Sequence, residues 1–243
     1  MHLSQQVGVT TVGRVRKNNE DVFGIHPELG LALVADGMGG AACGEIASSL
    51  AAKSVNDYFA VSQGLSPVDL IEGSIRFAND RVWQAAQTAS GCDGMGTTFV
   101  MAHWTESQLW VANVGDSRGY ILRHGSLQQL SHDQNLANDL RESLHLTDEQ
   151  IATYPQRNAL TMAIGTRDQV RCRMCQGSLE DGDTVVLCSD GLSNPLKDHA
   201  IAAILLEIGP LAAAADALVE SALNAGGTDN VTVVLLRFSD GHF

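Results

Sequence analysis

The apolar residues of this chain recur with two different periods, and the period changes several times along the sequence. Residues 7–13 alternate weakly between apolar and polar positions, and residues 23–36 read as two strands around a Pro-Glu-Leu-Gly turn. Residues 44–61 and 68–89 instead carry apolar side chains at spacings of three and four. That spacing predicts two long amphipathic helices after the first strands.

The period of two returns at Gly96 and predicts a meander of antiparallel strands in the segments TTFVMAHW, LWVANVGD, GYILRHG and LQQLS. Residues 134–168 break this pattern and suggest a mobile insertion with short helices at LANDLRESL, LTDEQIATY and NALTMAIG. Strands resume at QVRCRMCQG and at residues 183–190, helices follow at IAAILLEI and GPLAAAADALVESALNA, and residues 230–238 form a last strand. This order predicts an α+β fold in which helices cover antiparallel sheets.

The composition predicts one globular domain that spans residues 1–243. Hydrophobic residues make up 44% of the chain and charged residues 18%, a balance typical of folded soluble proteins. No apolar run reaches the roughly 18 residues that a membrane helix requires, and the N-terminal MHLSQQVGVT lacks the regions of a secretion signal. We therefore expect a cytoplasmic protein that does not bind a membrane.

The net charge of −13, from 28 acidic and 15 basic residues, argues against partners with exposed phosphate backbones. We therefore expect no nucleic-acid partner. An acidic protein of this kind is also suited to binding cations.

The five cysteines predict reduced thiols rather than a disulfide framework. Their number is odd and their positions are scattered: Cys43, Cys92, Cys172, Cys175 and Cys188. Cys172 and Cys175 form a CxxC pair, but no second pair and no paired histidines follow. Because a structural zinc site needs four ligands, we expect no zinc here.

Acidic side chains recur where apolar strands begin or end. Three of them end predicted strands: Asp36, Asp116 and Asp190. Three others open predicted strands: Glu20, Asp21 and Asp229. Taken singly, each of them reads as a turn or strand-end residue. Taken together, they predict that carboxylates converge at one edge of the sheets. Clustered carboxylates repel one another and then either take up protons or bind metal.

An all-oxygen ligand set suits hard cations such as Mg²⁺, Mn²⁺ or Ca²⁺ rather than zinc or copper. The eight histidines form no close metal-binding pair in the sequence, which supports that choice. Two hard ions about 3.5–4 Å apart can share a bridging carboxylate, activate a bridging water and clamp a phosphoryl group. Ser117 and Ser189 lack the GxSxG setting of a serine nucleophile, and a metal-activated water needs none.

Six segments resemble, in order and spacing, the signature motifs of the metal-dependent type 2C Ser/Thr protein phosphatases in their bacterial, stand-alone form. They are VGRVRKNNED (12–21), VADGMGG (34–40), GMGTT (94–98), VGDSR (114–118), LCSDGL (187–192) and GGTDNVTVV (226–234). The resemblance covers nearly the whole chain. It implies a four-layer α-β-β-α sandwich, with two central antiparallel sheets, a pair of helices on each outer face and a metal-bearing cleft at one edge.

The resemblance also implies a role for each matching residue. Asp36 is expected to bridge two ions, and Asp190 and Asp229 to complete the shell of the first. Glu20 and the backbone carbonyl of Gly37 are expected to bind the second ion. A glycine at position 37 permits a close approach that a side chain would block.

Further residues are expected to support this centre. Asp116 resembles a ligand, together with Asp190, of a weaker third ion found in bacterial members of the family. Asp21 is expected to hydrogen-bond the waters around the ions. Asn230 and Thr228 are expected to shape the turn and orient the ligand between them.

Arg16 resembles the phosphate-binding arginine of the family. Its planar guanidinium can hold two phosphate oxygens at once, which lysine cannot imitate. Alone, Arg16 beside Arg14 and Lys17 would read as a surface arginine. In the context of NNED, we expect it to bind phosphate.

The implied reaction is hydrolysis of phosphoserine and phosphothreonine monoesters by direct attack of a metal-bridging water or hydroxide, with Mn²⁺ or Mg²⁺ as cofactor. The expected partners are phosphoprotein substrates of a Ser/Thr protein kinase, on which the phosphatase acts as a monomer. The insertion corresponds to the family's variable flap, which would govern substrate access. The alternative is an inactive pseudophosphatase that binds phosphoproteins; the acidic charge disfavours a two-metal nuclease.

Met38 departs from many eukaryotic relatives, which carry a histidine directly after the Asp-Gly pair. A thioether cannot donate the proton that an alkoxide leaving group needs, so a metal-bound water or another residue has to supply it. His132 is one candidate. The favoured interpretation is that His132 and Asp133 cap and hold the start of the insertion.

Overall fold

The computed structural model describes residues 1–39, 43–62 and 64–241; Gly40, at the end of the VADGMGG motif, lies outside them. The strands are β1 (His2–Thr11), β2 (Asp21–His26), β3 (Leu31–Met38), β4 (Gly96–Thr97), β5 (Phe99–Trp104), β6 (Gln108–Val114), β7 (Arg118–Arg123), β8 (Ser126–Gln129), β9 (Arg173–Ser178), β10 (Thr184–Cys188) and β11 (Val231–Ser239). The helices are α1 (Cys43–Val61), α2 (Pro67–Thr88), α3 (Leu136–Leu144), α4 (Asp148–Ala152), α5 (Asp190–Ser193), α6 (Asp198–Glu207) and α7 (Leu211–Asn224).

The strands form two antiparallel sheets. One sheet has the order β1-β11-β10-β7-β8, and the other has the order β2-β3-β5-β6-β9, with the short β4 added to the end of β3. The first and last strands of the chain therefore pair side by side, from Val9 with Val233 to Thr11 with Val231 near the end of β1. This pairing brings the N-terminal loop after β1 next to the residues that precede β11.

Three apolar layers hold the two sheets and the helices together. The first lies between α1, α2 and the sheet of β3, the second between α6, α7 and the sheet of β10, and the third between the two sheets. Fully buried examples from the three layers are Ile75 and Met101, Leu218 and Val233, and Val34 and Leu236. The predicted four-layer α-β-β-α sandwich is therefore confirmed.

The sequence LALVA of β3 shows why this architecture produces uninterrupted apolar runs. Leu31 and Leu33 belong to the layer under α1 and α2, whereas Ala32 and Val34 belong to the layer between the sheets. Successive side chains point to opposite faces of a strand, and here both faces are covered. Each residue of the run therefore loses contact with water, and burial of an aliphatic side chain stabilises the fold by about 1.5–3 kcal/mol.

The predicted four-strand meander is wrong at one point. β5 pairs with β6 and β7 pairs with β8, but β6 and β7 belong to different sheets. The chain crosses from one sheet to the other through Gly115, whose φ of 92° suits a residue without a side chain. A period of two does not reveal this crossing, because every strand keeps its alternation in either sheet.

The insertion contains two of the three predicted helices. α3 and α4 form as expected, and the side chain of Asn135 caps α3 by accepting a hydrogen bond from the backbone N–H of Asn138. The segment NALTMAIG is not helical, and this prediction is wrong. Bridges join Leu160 to Asn135 and Ile164 to Thr97, so pairing with distant backbone replaces the local helix.

The expectation that all five cysteines are reduced is also wrong. Cys43 and Cys92 form a disulfide with a Cα–Cα distance of 5.4 Å, whereas Cys172, Cys175 and Cys188 are free thiols. The two partners are 49 residues apart in the sequence, and the spacing gave no signal for their pairing. Within the described ranges, none of the helices is long and apolar enough to cross a membrane.

Candidate metal centre

A cleft of about 460 Å³ opens where strands from both sheets end. Eight of the predicted site residues line it: Arg16, Glu20, Asp36, Gly37, Asp116, Asp190, Asp229 and Asn230. Met38 also lines the cleft, as do Asn158 and Leu160 from the insertion. Thr228 does not line the cleft, and neither does Asp21, which is buried with 5% of its surface exposed.

The strands explain why the carboxylates meet. β3, β6 and β10 carry Asp36, Asp116 and Asp190 to the cleft, each acid within two residues of the end of its strand. Asp229 lies two residues before β11, which pairs antiparallel with β10. Because antiparallel neighbours run in opposite directions, the acid after one strand and the acid before the other arrive at the same edge.

Burial and mutual proximity oppose the ionisation of three of these carboxylates. Burial and the charge of Asp190 raise the pKa of Asp116 to about 7. The pKa of Asp36 is raised well above its usual value by burial and by the neighbouring charges of Asp21 and Asp190. Burial, with the charge of Asp229, also raises the pKa of Asp190. A cation in the cleft would remove this cost, since it favours the charged form of each group.

Arg16 is a cationic residue that lies beside this cluster. Its Nη2 donates a hydrogen bond to Oδ2 of Asp229 at 2.7 Å, and this bond raises the pKa of Arg16 further. The side chain of Arg16 remains 55% exposed, so the guanidinium faces the open side of the cleft. It is therefore positioned to meet an anion that enters from solvent.

Asn230 ties the N-terminal loop to the start of β11. Its Nδ2 donates to the carbonyl oxygens of Val12 and Asn18, at 3.0 and 2.9 Å, and its Oδ1 accepts from the backbone N–H of Glu20 at 2.8 Å. These three bonds fix the backbone that carries Glu20. The side chain of Asn230 therefore acts on the position of a neighbouring carboxylate.

Asp21 lies behind the cleft and is held by two hydroxyl groups. Its Oδ2 accepts hydrogen bonds from Ser189 Oγ at 2.8 Å and from Thr232 Oγ1 at 2.7 Å. Burial raises the pKa of Asp21 to about 6, although both hydroxyls favour its charged form. Its Oδ1 is buried and has no hydrogen-bond partner among the described residues. Such an atom calls for a water or an ion to satisfy it.

The N-terminus of α1 packs directly on Glu20 and Gly37. A Cβ atom at Gly37 would overlap the carbonyl oxygen of Gly44, and a Cβ at Gly44 would overlap the carboxylate of Glu20. Ser48, one turn further along α1, donates its hydroxyl hydrogen to the carbonyl oxygen of Glu20 at 2.6 Å. The two glycines thus allow an approach of backbones that brings the Glu20 carboxylate and the Gly37 carbonyl into the same cleft.

Buried amides hold the turn that presents Asp116. Asn113 Nδ2 donates to the carbonyl oxygen of Gly115 at 3.0 Å, and the N–H of Gly115 donates to Gln134 Oε1 at 2.8 Å. The carboxylate of Asp116 therefore follows a turn that is fixed on both sides. Gln134 belongs to the start of the insertion, which links this turn to the flap.

His132 does not line the cleft. Its Nε2 lies 2.8 Å from Oε1 of Glu142 on α3, and Asp133 forms an ion pair with Arg118 at 2.6 Å. Both residues therefore hold the start of the insertion, as the favoured interpretation had it. The helix cap itself is Asn135, so that part of the prediction is wrong.

The residues present fit a pair of hard cations. The cleft offers carboxylate and carbonyl oxygens, and the pKa values of Asp36, Asp116 and Asp190 are raised. A buried oxygen of Asp21 has no hydrogen-bond partner among the described residues. Over residues 1–39, 43–62 and 64–241, no three acidic, histidine or cysteine side chains close around a single point. Mg²⁺ and ions like it keep several waters, so side chains need not supply the whole shell.

Several residues that support the site were not identified in this role from the sequence. Ser189 and Thr232 hold Asp21, and Asn194 Nδ2 donates to Asp190 Oδ2 at 3.0 Å. Asn194 lies four positions after Asp190, directly after the end of α5, a spacing that places two side chains on one helix face. That spacing is the one signal that could have identified Asn194.

Comparison with known proteins places the chain in a family. The model of the family described as protein phosphatase 2C matches residues 14–226. The serine/threonine phosphatase stp of Listeria welshimeri is 35% identical over 235 residues, which cover 94% of this chain and 93% of that protein. The crystal structure of the Mycobacterium tuberculosis serine/threonine phosphatase PstP/Ppp superposes with a TM-score of 0.89 at 33% identity, covering 97% of this chain and 98% of that one.

A second structure of PstP, of its catalytic domain in complex with two manganese ions, superposes with a TM-score of 0.86 at 32% identity and covers 97% of this chain and 98% of that one. The fold and the site thus define a metal-dependent protein serine/threonine phosphatase of bacterial type, as the sequence motifs predicted. The chain belongs to the protein phosphatase 2C family.

Proposed function

We propose that the cleft hydrolyses phosphoserine and phosphothreonine monoesters on protein substrates. The observation that carries this proposal is the convergence of Asp36, Asp190 and Asp229 beside Arg16 in one open cleft. An inactive phosphoprotein-binding module would not require these carboxylates, and their retention in a cleft where they repel one another favours an enzyme.

The chain's own oxygens would hold two Mn²⁺ or Mg²⁺ ions. Asp36 would be shared, Asp190 and Asp229 would complete one site, and Glu20 with the carbonyl of Gly37 would complete the other. When bound, the ions would supply an activated water and neutralise the charge of the phosphoryl group. A weaker third ion between Asp116 and Asp190 extends this proposal.

Arg16 would bind the phosphate of the substrate. Its exposed guanidinium lies at the cleft and can present two parallel N–H groups to phosphate oxygens. With Asp229 engaged by a cation, the bond from Arg16 to Asp229 is no longer needed to neutralise that carboxylate. The arginine is then able to orient the phosphoryl group for attack from the side of the carboxylates.

The leaving serine or threonine oxygen needs a proton that Met38 cannot provide. Met38 lines the cleft, and its sulfur carries no ionisable hydrogen. His132 points to Glu142 instead, so a water held in the cleft is the proposed donor. The role of Met38 is then to form part of the wall of the cleft.

We further propose the setting in which this chemistry takes place. The phosphatase acts as a monomer in the cytoplasm and reverses the action of a Ser/Thr protein kinase, with neither nucleic acid nor membrane as a partner. The net charge of −13 supports the exclusion of nucleic acid. The chain acts as one catalytic domain, and its insertion 134–168, which contributes Asn158 and Leu160 to the cleft, selects substrates.

The test is hydrolysis of p-nitrophenyl phosphate and of a phosphothreonine peptide, with and without Mn²⁺. We expect both substrates to be hydrolysed with Mn²⁺ or Mg²⁺, and EDTA to abolish both activities. Readdition of Mn²⁺ after EDTA serves as the control for denaturation. Activity that survives EDTA would refute the metal-dependent mechanism.

A further inference from the structure

The disulfide between Cys43 and Cys92 lies directly beside the part of the cleft formed by Glu20 and Gly37. Cys43 is the first residue of α1, and Cys92 lies in the turn between α2 and β4. Both are almost buried, with 5% and 6% of their surface exposed. The disulfide therefore joins two segments that are 49 residues apart in the sequence.

On the side of Cys43, the disulfide anchors the first turn of α1. The next residue, Gly44, packs on the Glu20 carboxylate and on the backbone of Gly37. Ser48 donates to the carbonyl oxygen of Glu20 at 2.6 Å, and that same oxygen accepts from the N–H of Gly37 at 3.1 Å. Any displacement of the start of α1 would therefore move both groups proposed to bind the second ion.

On the side of Cys92, the disulfide anchors the backbone that lies against β3. The N–H of Met95 donates to the carbonyl oxygen of Cys92 at 3.0 Å, and β4 follows immediately. β4 pairs with the end of β3, Gly37 with Thr97. Thr97 Oγ1 also donates to the carbonyl oxygen of Asp36 at 2.8 Å. The disulfide thus links the start of α1, which packs on the Asp36–Gly37 backbone, to the turn before β4, which pairs with it.

We propose that the Cys43–Cys92 disulfide is a thiol-exchange site that sets the affinity of the second metal site, so that its reduction weakens binding of that ion. This inference rests on the roles proposed above for Glu20 and Gly37. The disulfide clamps α1 against β4, with the end of β3 between them. Its loss allows the start of α1 to separate from Glu20.

The chemistry requires a dithiol reductant, either a small molecule or a protein with paired cysteines. A thiolate of the reductant attacks one sulfur of the disulfide, forms a mixed disulfide and releases the other cysteine as a thiol. The second thiol of the reductant then attacks the mixed disulfide and releases the remaining cysteine. The products are two thiols on Cys43 and Cys92 and a disulfide on the reductant, so electrons and protons balance. The turn that carries Cys92 is exposed at Gly91, Asp93 and Gly94, which gives the reductant access.

The cellular setting favours exchange over a permanent bond. In a reducing compartment, disulfides are rare and are usually transient or redox-sensing. A disulfide beside the cleft of a phosphatase proposed to act in the cytoplasm therefore suits a switch that responds to the thiol pool. The phosphatase would bind both ions tightly when oxidised and bind the second more weakly when reduced.

The first measurement counts thiols. The unfolded, unreduced protein is expected to present three thiols to a chromogenic disulfide reagent, and the reduced protein five, since the chain has five cysteines of which three are free. Five thiols in the protein as purified under air would overturn the proposal, because the disulfide would then not form.

The second measurement is calorimetric titration of the metal-free protein with Mn²⁺, before and after reduction by dithiothreitol. The reductant is removed without oxygen before titration, because it binds metal itself. We expect the binding event that Glu20→Gln abolishes to lose about tenfold in affinity, which is the size of effect seen when a group that orients a ligand is removed. The event assigned to Asp190 and Asp229 is expected to stay within a factor of two.

Two variants separate this effect from others. Cys43→Ala/Cys92→Ala is expected to bind Mn²⁺ with the affinity of the reduced protein, and treatment with dithiothreitol is expected to leave that affinity unchanged. Cys172→Ser/Cys175→Ser, which keeps the disulfide, is expected to respond like the natural chain. If the double alanine variant fails to fold, the reduced natural chain still gives the comparison without any substitution. Equal Mn²⁺ affinities before and after reduction would contradict the proposal.

The outcome is distinguishable from failure of the proposed function. Hydrolysis of p-nitrophenyl phosphate by the oxidised protein at saturating Mn²⁺ tests the phosphatase activity and does not depend on a switch. Activity with unchanged Mn²⁺ affinities refutes the switch alone. Absence of activity together with Mn²⁺ binding refutes the proposed function alone.

Discussion

The two halves of the candidate metal centre are supported in different ways. The strand-held half consists of Asp190 and Asp229, and the helix-held half consists of Glu20 and Gly37; Asp36 lies between them. The strand-held half is fixed by adjacent strands β10 and β11, where the N–H of Ser189 donates to the carbonyl oxygen of Thr232 at 3.1 Å. The helix-held half depends on the packing of α1 against β3.

This difference concerns how many independent contacts position each ligand. In the strand-held half, a continuous ladder of backbone hydrogen bonds extends from the core to the cleft. In the helix-held half, Glu20 is positioned by Asn230, Ser48 and the close approach of Gly44. We therefore expect the strand-held half to tolerate local change, and the helix-held half to be the sensitive and adjustable part of the centre.

The largest effect is expected from the residue that both halves share. Asp36→Asn removes a charge that either ion needs, so we expect the rate of p-nitrophenyl phosphate hydrolysis to fall by about 10³-fold or more. Asp216→Asn, an exposed substitution on α7, is the matched control and should leave the rate unchanged. Activity of Asp36→Asn within tenfold of the natural chain would show that the two halves do not share a ligand.

A smaller effect is expected when the helix-held half alone is disturbed. Gly44→Ala places a methyl group against the Glu20 carboxylate, so we expect the Mn²⁺ concentration for half-maximal activity to rise by about 10–100-fold. Alanine favours helix more than glycine does, so lost helix propensity cannot explain the result. Gly209→Ala, where a Cβ meets nothing within 4 Å, is the control. An unchanged Mn²⁺ concentration for half-maximal activity would contradict the greater sensitivity assigned to the helix-held half.

The metal-free protein is expected to lose stability as the pH rises. Asp36, Asp116 and Asp190 have pKa values above the usual 3.8 in the folded state, so the folded state binds more protons than the unfolded state between about pH 4 and 7. The stabilisation is complete below the unfolded pKa and is lost as pH passes the folded pKa, about 7 for Asp116. Thermal unfolding of the EDTA-treated protein should show a Tm that falls over this range.

Saturating Mn²⁺ should reverse this trend, because bound cations keep the carboxylates ionised in the folded state. The Tm of the metal-saturated protein should rise or stay level between pH 5 and 7 as proton competition declines. Parallel pH profiles with and without Mn²⁺ would mean that the cluster is not the site of the ions.

The smallest effect is expected in the strand-held half. Asn194→Ala removes one hydrogen bond to Asp190, at 3.0 Å, from an exposed side chain directly after α5. We expect Mn²⁺ affinity to fall by about tenfold at most, the lower end of the range for groups that orient ligands. A calorimetric titration measures it. A loss as large as that of Gly44→Ala would contradict the greater tolerance assigned to this half.

The sequence predicts the strand-held half well for a physical reason. Both faces of each central strand are buried, so the strands stand out as apolar runs, and the acids directly after them stand out as exceptions. Antiparallel pairing then brings Asp190 and Asp229 to one edge. The four layers follow from the same runs together with the helical spacing of the intervening segments.

For the helix-held half, the sequence predicts which residues bind the ion but not the contacts that position them. The contact of Gly44 with Glu20 and the disulfide of Cys43 join segments whose proximity depends on how α1 packs on β3. No periodicity encodes such proximity, because it arises from tertiary packing. The same reason explains the helix wrongly predicted at NALTMAIG, where pairing of Ile164 with Thr97 overrides local spacing.

The central claim is that the carboxylates of the cleft hold two ions in two separately supported halves. Calorimetric titration with Mn²⁺ of the oxidised natural chain, of Asp190→Asn and of Glu20→Gln tests it most directly. Apart from a weaker third ion, we predict two binding events for the natural chain and the loss of a different one of these two in each variant. Two unchanged events in both variants, or the loss of the same event in both, would contradict the claim.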